Sequence, residues 1–506
     1  MLPAAWVEAF LRDAEHSKPP LADPLPERRV ARLLGAWIVA GLFFLVLPGT
    51  VLGVWNLVSI SSRQDAQSIP ANWIQAHGHA QLLGWVGTFM IGISLYAVPK
   101  FRGGAIRSLA VGWAMLALWT SAIALRWWSG VEQRAFEIVW PLAASAELVV
   151  ALLLVWQTSA RGASYRRTEL WNHLIFAGHA GLVVTLALQL ALVWPPLAQP
   201  LIPPEPNARL LYLALWAFCF PVVWGFSTRF LPTLLGLPAP GRRAAYAGLA
   251  ALAGAIIASQ GLASALTILA VVLACWSLRI FHPSQRPAKT AFVDPLYGWF
   301  TRAAFGWMTL SALLLAGGDV PGMTGASRHA FTVGFLATMI FSIGPRVLPA
   351  FLNSRELWST RLMRASLVLL TLGCTLRVTS EPLAYASAAG WAWKVLPVSA
   401  MIELTAVLLF AYNLGRTLAT PMPAWFGREQ VRDSMTLYWY VSAYPATREL
   451  LIRAGLKTLA ATRRIPMSLT LREAAECDGV DPGKLVAALA DFFAARTARA
   501  VLGHNN

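Results

Sequence analysis

Two long apolar stretches that resemble each other decide the fold of this chain. Residues 73–101 read WIQAHGHAQLLGWVGTFMIGISLYAVPKF, and residues 323–351 read MTGASRHAFTVGFLATMIFSIGPRVLPAF. At a constant offset of 250 residues, seven identities fall within 23 positions without a gap: His79, Ala80, Gly84, Thr88, Ile93, Pro99 and Phe101 match His329, Ala330, Gly334, Thr338, Ile343, Pro349 and Phe351. Each stretch exceeds the ~20 apolar residues that cross a bilayer as a helix. The chain is therefore predicted to contain membrane-spanning helices that recur within it.

The composition of the whole chain agrees with this prediction. Apolar residues make up 57% of the 506 residues, charged residues only 13%, and the mean hydropathy is +0.56. Soluble domains are about one-quarter charged, and the 23 tryptophans are typical of membrane interfaces. The net charge of +17 comes mostly from short loops between apolar runs, so we expect membrane lipid and no nucleic acid as a partner. The sequence predicts an all-α, polytopic membrane protein.

Twelve runs are long enough to span a membrane, the seventh and eighth being the shortest. They are predicted at 31–57, 73–99, 106–127, 137–157, 170–193, 209–233, 244–260, 262–281, 295–317, 326–352, 360–380 and 388–416. Fourteen loop Lys and Arg residues fall on one side and seven on the other, with Arg126 and Arg377 counted among the seven. Cytoplasmic loops are the more basic. Both termini are therefore expected in the cytoplasm of a bacterial-type inner membrane.

The spans are expected to form three repeats of four helices. Span six joins the pair of matched spans, because Arg229-Phe230-Leu231-Pro232 parallels Arg346-Val347-Leu348-Pro349, although Tyr212 stands at the position of the histidine. Matched spans two, six and ten are four apart. The predicted organisation is an N-terminal segment (1–30) without a signal peptide, helices one to four (31–157), five to eight (158–282) and nine to twelve (283–417), and a C-terminal domain (418–506).

Three of the histidines in the apolar runs point to a haem. His79 and His329 occupy equivalent repeat positions at the same depth, and two neutral imidazoles on neighbouring helices suit the two axial positions of a haem iron. His77 is two residues from His79 and projects about 200° away from it on a helix. His77 could replace His79 in the axial pair or serve a second site. The simpler alternative for each residue is a neutral imidazole bonded to a neighbouring hydroxyl or carbonyl.

His173 and His179 on span five are candidates for a second metal site. Their spacing of six residues does not form a chelating pair on one helical face. His179 reaches towards the middle of the membrane and could join His77, whereas His173 lies nearer the inner surface. Imidazole suits copper and iron alike. The spacing therefore leaves the identity of a second metal open.

Five further polar residues are candidates for roles in the same region. Arg229 and Arg346 are repeat-equivalent; they could balance an anionic group of a cofactor, or extend to the inner interface. Glu147 and Glu403 lie within apolar runs and could relay protons or pair with the arginines. Tyr212 could act as a redox or hydrogen-bonding group. Together with His179, Glu147, Glu403 and Tyr212 form the predicted catalytic set.

These stretches resemble those of a known family. His77-Gly78-His79-Ala80-Gln81 with Gly84-Trp85, and Arg328-His329-Ala330-Phe331-Thr332-Val333-Gly334 continuing to Arg346, are similar to NnrS-like proteins, which are membrane haem and copper proteins linked to nitric oxide. More distantly, the chain resembles subunit one of haem–copper oxidases and nitric oxide reductases. The resemblance implies twelve helices in a pseudo-threefold arrangement, one or two b haems, a second site with copper or iron, and a cytochrome or quinol as electron donor. The copper-binding histidines of the oxidases are absent from spans six to eight.

The C-terminal domain differs in composition from the rest of the chain. Charge density rises after Arg416, and Thr470 followed by Glu473 predicts a capping box at the start of a helix. The segment resembles a small helical domain of unknown function that occurs beside nitrosative-stress and iron–sulfur repair proteins. Cys477 stands alone, so a folded tail for stability or docking is expected rather than a metal site.

These observations favour a haem-bearing membrane protein of nitric oxide metabolism or nitrosative-stress tolerance. In its enzymatic form, an oxidoreductase would pass electrons through a bis-His haem to a second centre where nitric oxide is reduced. The alternatives are a non-catalytic nitric oxide sensor and a secondary transporter. Transporters typically have inverted or twofold repeats, whereas this sequence indicates three groups of four helices.

Overall fold

The structure is a computed structural model, and it is described here for residues 24–502. Within that range the description leaves out residues 66, 103, 160–168, 196, 286–295, 319, 352–356, 420–430, 438–439, 442–445 and 462–468. The described part of the chain is helical, apart from an isolated β-bridge between Thr436 and Thr470. This confirms the predicted all-α class.

Twelve helices form the apolar region of the described residues. They are α1 24–63, α2 Ala71–Phe101, α3 Leu109–Glu132, α4 Phe136–Thr158, α5 Leu170–Val193, α6 204–234, α7 Arg242–Ile257, α8 Gln260–Leu278, α9 Tyr297–Leu315, α10 323–351, α11 Thr360–Tyr385 and α12 Ala392–Ala419. Ten of them are long and apolar enough to cross a membrane. The other two are α7, which has only 16 residues, and α9, which has 19. The chain is a multi-pass membrane protein.

The twelve helices pack as three equivalent groups of four, which confirms the predicted repeat. In each group the first two helices pack together, as α1 with α2, α5 with α6 and α9 with α10. The last two also pack together, as α3 with α4, α7 with α8 and α11 with α12. Each group then meets the next through α4 and α5, α8 and α9, and finally α12 and α1. The last contact closes the groups into a ring.

The second helix of every group contains a π-helical segment at the same place. The segments are Ala80–Gly87 in α2, Leu213–Cys219 in α6 and Ala330–Ala337 in α10. They begin directly after His79, Tyr212 and His329, the three residues that the sequence repeat aligns. α1 holds a fourth segment, Leu45–Val51, around Pro48. π segments are rare and frequently lie at functional sites.

A pair of side-chain hydrogen bonds fastens the third helix to the fourth in the outer two groups. Ser108 caps the start of α3, and its backbone N–H and C=O bond the Gln157 amide of α4 at 3.0 and 2.6 Å. Ser359 caps α11 and bonds the Asn413 amide of α12 in the same way, at 3.0 and 2.8 Å. In the middle group the bond runs from the Gly241 N–H to a backbone carbonyl of α8. We call the two outer contacts, Ser108 with Gln157 and Ser359 with Asn413, the serine–amide latches.

The C-terminal domain has a hydrophobic core of its own. Its helices are α13 Ala446–Arg453, α14 Lys457–Ala461, α15 Leu471–Asp478 and α16 Pro482–Leu502. The capping box of Thr470 and Glu473 is present at the start of α15, which confirms that prediction. The Tyr440 hydroxyl donates to the Arg432 carbonyl and accepts from the Arg432 N–H, both at 2.9 Å. Burial raises the pKa of this phenol above its usual range, so it stays protonated.

Candidate polar sites of the helix ring

The helical geometry of α2 sends His77 and His79 to different neighbours. The Nδ1 atom of His77 lies 2.9 Å from the Gly49 carbonyl in the π segment of α1. The Nε2 atom of His79 lies 3.0 Å from Glu147 Oε1 on α4. This divergence follows from their spacing, because two residues along an α-helix turn through about 200°. α2 therefore contributes one histidine to each of two separate polar clusters.

The first cluster surrounds His79. Glu147 is fully buried, and its second oxygen accepts a 2.6 Å hydrogen bond from the Gln189 amide of α5. The Arg126 guanidinium of α3 is within electrostatic range of both His79 and Glu147 and lies 4.7 Å above the Trp140 ring. Since Glu147 accepts bonds from both sides, its carboxylate and the His79 imidazole can exchange a proton directly along the 3.0 Å contact.

The second cluster consists of His77 on α2 and His329 on α10, with charged residues of α11 beside them. The Nδ1 atom of His329 lies 3.1 Å from the Gly325 carbonyl, so both histidines bond a backbone carbonyl through Nδ1. A carbonyl can only accept, and the proton of each ring must therefore be on Nδ1. The two rings are within electrostatic range of each other and of Arg377 on α11. The Nε2 lone pairs are left available for a ligand.

Arg377 carries donors without an acceptor in the described residues. Its side chain is 9% exposed, yet Nε and Nη1 find no hydrogen-bond partner there. Its Nε is 3.3 Å from Glu381 Oε2, one turn along α11. Unpaired buried N–H groups are costly, and guanidinium groups bind carboxylates well. The surroundings of His77 and His329 therefore suit a ligand that carries carboxylates.

Arg126, Arg377 and Glu381 were not among the site residues predicted from the sequence. Arg126 and Arg377 were counted as residues of outer loops, which is wrong, because α3 and α11 continue to Glu132 and Tyr385 and bury both side chains. Each arginine stands 17 residues beyond the first residue of its helix, at an offset of 251 residues. Ser129 and Ser380 share that offset, which is the signal that could have revealed the pair.

The middle group of helices holds a neutral version of the first cluster. The Tyr212 hydroxyl of α6 is 2.6 Å from the Thr267 hydroxyl of α8. Tyr212 occupies the position of His79 in the repeat. Thr267 corresponds to Glu147, because each stands ten residues before the residue of the fourth helix that bonds the start of the third helix, Ser277 and Gln157 respectively. The contact between the second and fourth helix is thus kept without a histidine or a carboxylate.

Glu403 is the counterpart of Glu147 in the last group, but it has different contacts. Each stands 11 residues beyond the start of its helix, and Pro141 and Pro397 share the same offset of 256 residues. Glu403 packs on Gly373 of α11. Its Oε1 atom is buried without a hydrogen-bond partner in the described residues, and the nearest charges are Arg377 and Glu381. Glu403 therefore borders the second cluster.

His179 and His173 do not join either cluster. His179 is fully buried, and its Nε2 lies 3.2 Å from the Ser94 hydroxyl of α2. Ser94 is 15 residues beyond His79, which amounts to roughly 20 Å along the helix axis. The Nδ1 atom of His173 lies 2.8 Å from the Tyr246 hydroxyl, in the exposed first turn of α5. The expected second metal site of His77, His179 and His173 is thus not assembled, and no group of three or more potential ligands that could hold a metal occurs among the described side chains.

Of the two arginines that the sequence repeat aligns, Arg229 has a described side chain, and it lies away from both clusters. Arg229 is 45% exposed, 3.8 Å from Glu169, and lies over the rings of Phe101 and Trp171. This favours the interfacial alternative for Arg229. The side chain of Arg346 lies outside the described part of the structure, so its predicted role stays a prediction.

Comparisons with known proteins agree with this architecture. A solved structure described as a haem–copper terminal oxidase dimer matches with a TM-score of 0.61, over 78% of this chain and 84% of that one, at 12% identity. This likeness concerns the fold alone. No curated protein sequence matches the chain. The family described as NnrS protein matches residues 33–422. The chain belongs to the NnrS family.

The NnrS match covers both polar clusters and all twelve helices of the ring except the first nine residues of α1. It ends at residue 422, three residues after α12, so the C-terminal domain lies outside it. Within this NnrS chain, the predicted axial residues His77, His79 and His329 all lie at the starts of helices that carry π segments. The family match confirms the resemblance identified in the sequence.

Proposed function

We propose that this protein binds haem in the membrane and reduces nitric oxide, as part of nitric oxide metabolism or nitrosative-stress tolerance. The observation that carries the proposal is the shared geometry of His77 and His329. Both rings donate Nδ1–H to a backbone carbonyl, at 2.9 and 3.1 Å, and both leave Nε2 free for a ligand. Metal-binding histidines typically have such a partner on the second nitrogen, because it fixes the tautomer and the ring orientation.

The residues present fit a haem. Two imidazoles on different helices supply axial ligands, and 28% of the His329 side chain stays accessible although the residue lies within the helix ring. Arg377, whose buried Nη1 has no hydrogen-bond partner among the described residues, suits a haem carboxylate. His77 is preferred to His79 as the partner of His329, because the Nε2 of His79 is already bonded to Glu147.

A bound haem would supply one-electron chemistry at this position. The protein's own residues would set its place and surroundings. His77 and His329 would hold it between α2 and α10, and Arg377 would balance negative charge beside it. The His79–Glu147 pair would hold a proton on Nε2 or Oε1 at the neighbouring cluster, where Gln189 keeps the carboxylate oriented. Reduction of nitric oxide consumes protons as well as electrons, so a buried proton-holding pair supports the enzymatic form.

Nitric oxide as the substrate is inferred from the family and from the oxidase-like fold. A haem with two histidine ligands has no open position for nitric oxide, so reduction would take place at a second centre of copper or iron that receives electrons from the haem. His77, His179 and His173 do not meet among the described residues, and the ligands of that centre are not assigned. The transporter alternative is disfavoured by the threefold ring and by the likeness of the fold to that of a haem–copper oxidase.

Absorption spectra of the detergent-purified protein test the proposal directly. We expect a sharp reduced band of a six-coordinate haem after dithionite, and a change of the spectrum when nitric oxide is added. Nitrous oxide formation with a chemical electron donor would establish turnover, whereas binding without consumption would establish the sensor alternative. A folded protein that contains no haem would overturn the proposal.

A further inference from the structure

Glu381 is a buried carboxylate that the sequence analysis did not identify. It lies on α11, is 4% exposed, and places Oε2 at 3.7 Å from His329 Nδ1. The same oxygen is 3.3 Å from Arg377 Nε and has no hydrogen-bond partner in the described residues. Glu381 therefore faces the protonated nitrogen of His329 from the side opposite to the proposed ligand.

The turn that precedes His329 is shaped around Glu381. A Cβ atom on Gly325 would overlap the Glu381 carboxylate, and Gly325 supplies the carbonyl that His329 bonds. A Cβ on Gly322, whose φ is +78°, would lie 2.8 Å from the Glu381 carbonyl oxygen. Only glycine fits both positions without displacing Glu381. The carboxylate and the first turn of α10 are thus packed as one unit.

The first helix group has no counterpart of Glu381 at the equivalent position. At the offset of 251 residues the equivalent residue of α3 is Gly130, and His79 takes its carboxylate from Glu147 on α4 instead. The counterpart of Glu147, Glu403, makes no hydrogen bond to His329. The carboxylate beside the histidine therefore comes from a different helix in each outer group. This makes Glu381 a specific feature of the His329 site.

We propose that Glu381 is a positioning residue for His329 as an axial ligand. This inference rests on the proposed function. Glu381 keeps the His329 ring in the orientation that directs Nε2 at the metal, and its negative charge beside Nδ1–H makes Nε2 the stronger donor of the axial pair. Negative charge close to an iron stabilises the oxidised form. Glu381 thus lowers the midpoint potential of the haem.

The test compares Glu381→Gln with Glu403→Gln in the full-length, haem-loaded protein. Both variants remove one carboxylate near Arg377, but only Glu381 faces His329. Potentiometric titration monitored by absorption should show a higher midpoint potential for Glu381→Gln and a clearly smaller change for Glu403→Gln. The low-spin signals of the oxidised haem in electron paramagnetic resonance should shift only in Glu381→Gln, since they respond to the orientation and donor strength of the axial ligand.

The outcomes separate this inference from the proposed function. Wild-type protein without haem would overturn both. Haem-loaded Glu381→Gln with unchanged potential and resonance signals, or equal shifts in both variants, would overturn the role of Glu381 and leave the bis-His haem in place. If Glu381→Gln loses haem, Glu381→Asp decides: recovery of haem by the shorter carboxylate supports the positioning role, and loss in both variants contradicts it.

Discussion

At the scale of single residues, His77 and His79 can be told apart by what each ring bonds. His77→Ala and His329→Ala should each abolish the sharp reduced haem band, because each removes an axial ligand of the proposed site. His79→Ala should keep that band, since His79 bonds Glu147 instead. The measurement is the height of the reduced haem band in the absorption spectra of the three variants, normalised to protein concentration. Loss of the band in His79→Ala with retention in His77→Ala would reverse the assignment.

Two glycines near His77 make a matched pair for mutation: Gly53 lies against the His77 ring, and Gly78 follows His77 in the sequence. A Cβ on Gly53 would overlap the His77 ring, whereas a Cβ on Gly78 would meet nothing within 4 Å. Gly53→Ala should therefore displace His77, lower the haem-to-protein ratio, and destabilise the protein by about 1–3 kcal/mol. Gly78→Ala should leave haem content unchanged. Pyridine haemochrome assays and thermal unfolding in detergent provide the comparison, and equal effects would contradict the placement of His77.

The histidines of the site were predictable from the sequence, but their partners were not. The offset of 250 residues identified His79 and His329 without any structure. The choice between His77 and His79 depends on which helices lie beside α2, which the sequence of α2 does not contain. Arg377 and Glu381 were missed because charged residues near the end of an apolar run are attributed to loops. The structure gives His79 a carboxylate partner, and which of His77 and His79 pairs with His329 stays a prediction.

At the scale of helices, the serine–amide latches should contribute similarly to stability in the two outer groups. Gln157→Ala and Asn413→Ala each remove two hydrogen bonds and leave the backbone of a helix-capping serine without those partners. Each should cost about 1–3 kcal/mol. Thr405→Ala, an exposed threonine on α12, should change stability by less than about 0.5 kcal/mol. Thermal unfolding followed by tryptophan fluorescence measures the loss of stability in the three variants. An Asn413→Ala variant as stable as the wild type would contradict the equivalence of the two latches.

Spans could be predicted from hydropathy, whereas the π segments could not. The number and order of the helices followed from the apolar runs, and even the short α7 was predicted as a helix, although it has only 16 residues. Within a run such as Ala330–Ala337, nearly every residue is apolar. A π-helix can be told from an α-helix in a sequence only by the spacing of its polar residues. The π segments contain almost no polar residues, so the sequence carries no such signal there.

At the scale of the whole molecule, the helix ring and the C-terminal domain have separate hydrophobic cores. A protein that ends after Ala419 should insert into the membrane and keep the reduced haem spectrum of the full chain, because both polar clusters lie within the ring. Haem content and spectra of the two proteins, purified in parallel, make the comparison. A truncated protein that inserts but lacks haem would show that the domain contributes to the haem site.

The π segments make the second helix of each group tolerant of a change in chain length. A π turn holds one residue more than an α turn, so we expect the deletion of a single residue between Ala80 and Gly87 to revert the segment to regular helix. The parts of α2 on either side would then keep nearly their present orientation, and His77 and His79 would keep their present neighbours. The same deletion in a regular stretch of the helix would rotate one part by about 100° relative to the other. In this fold, the π segments are therefore the places where one codon can be lost during evolution without redirecting the histidines.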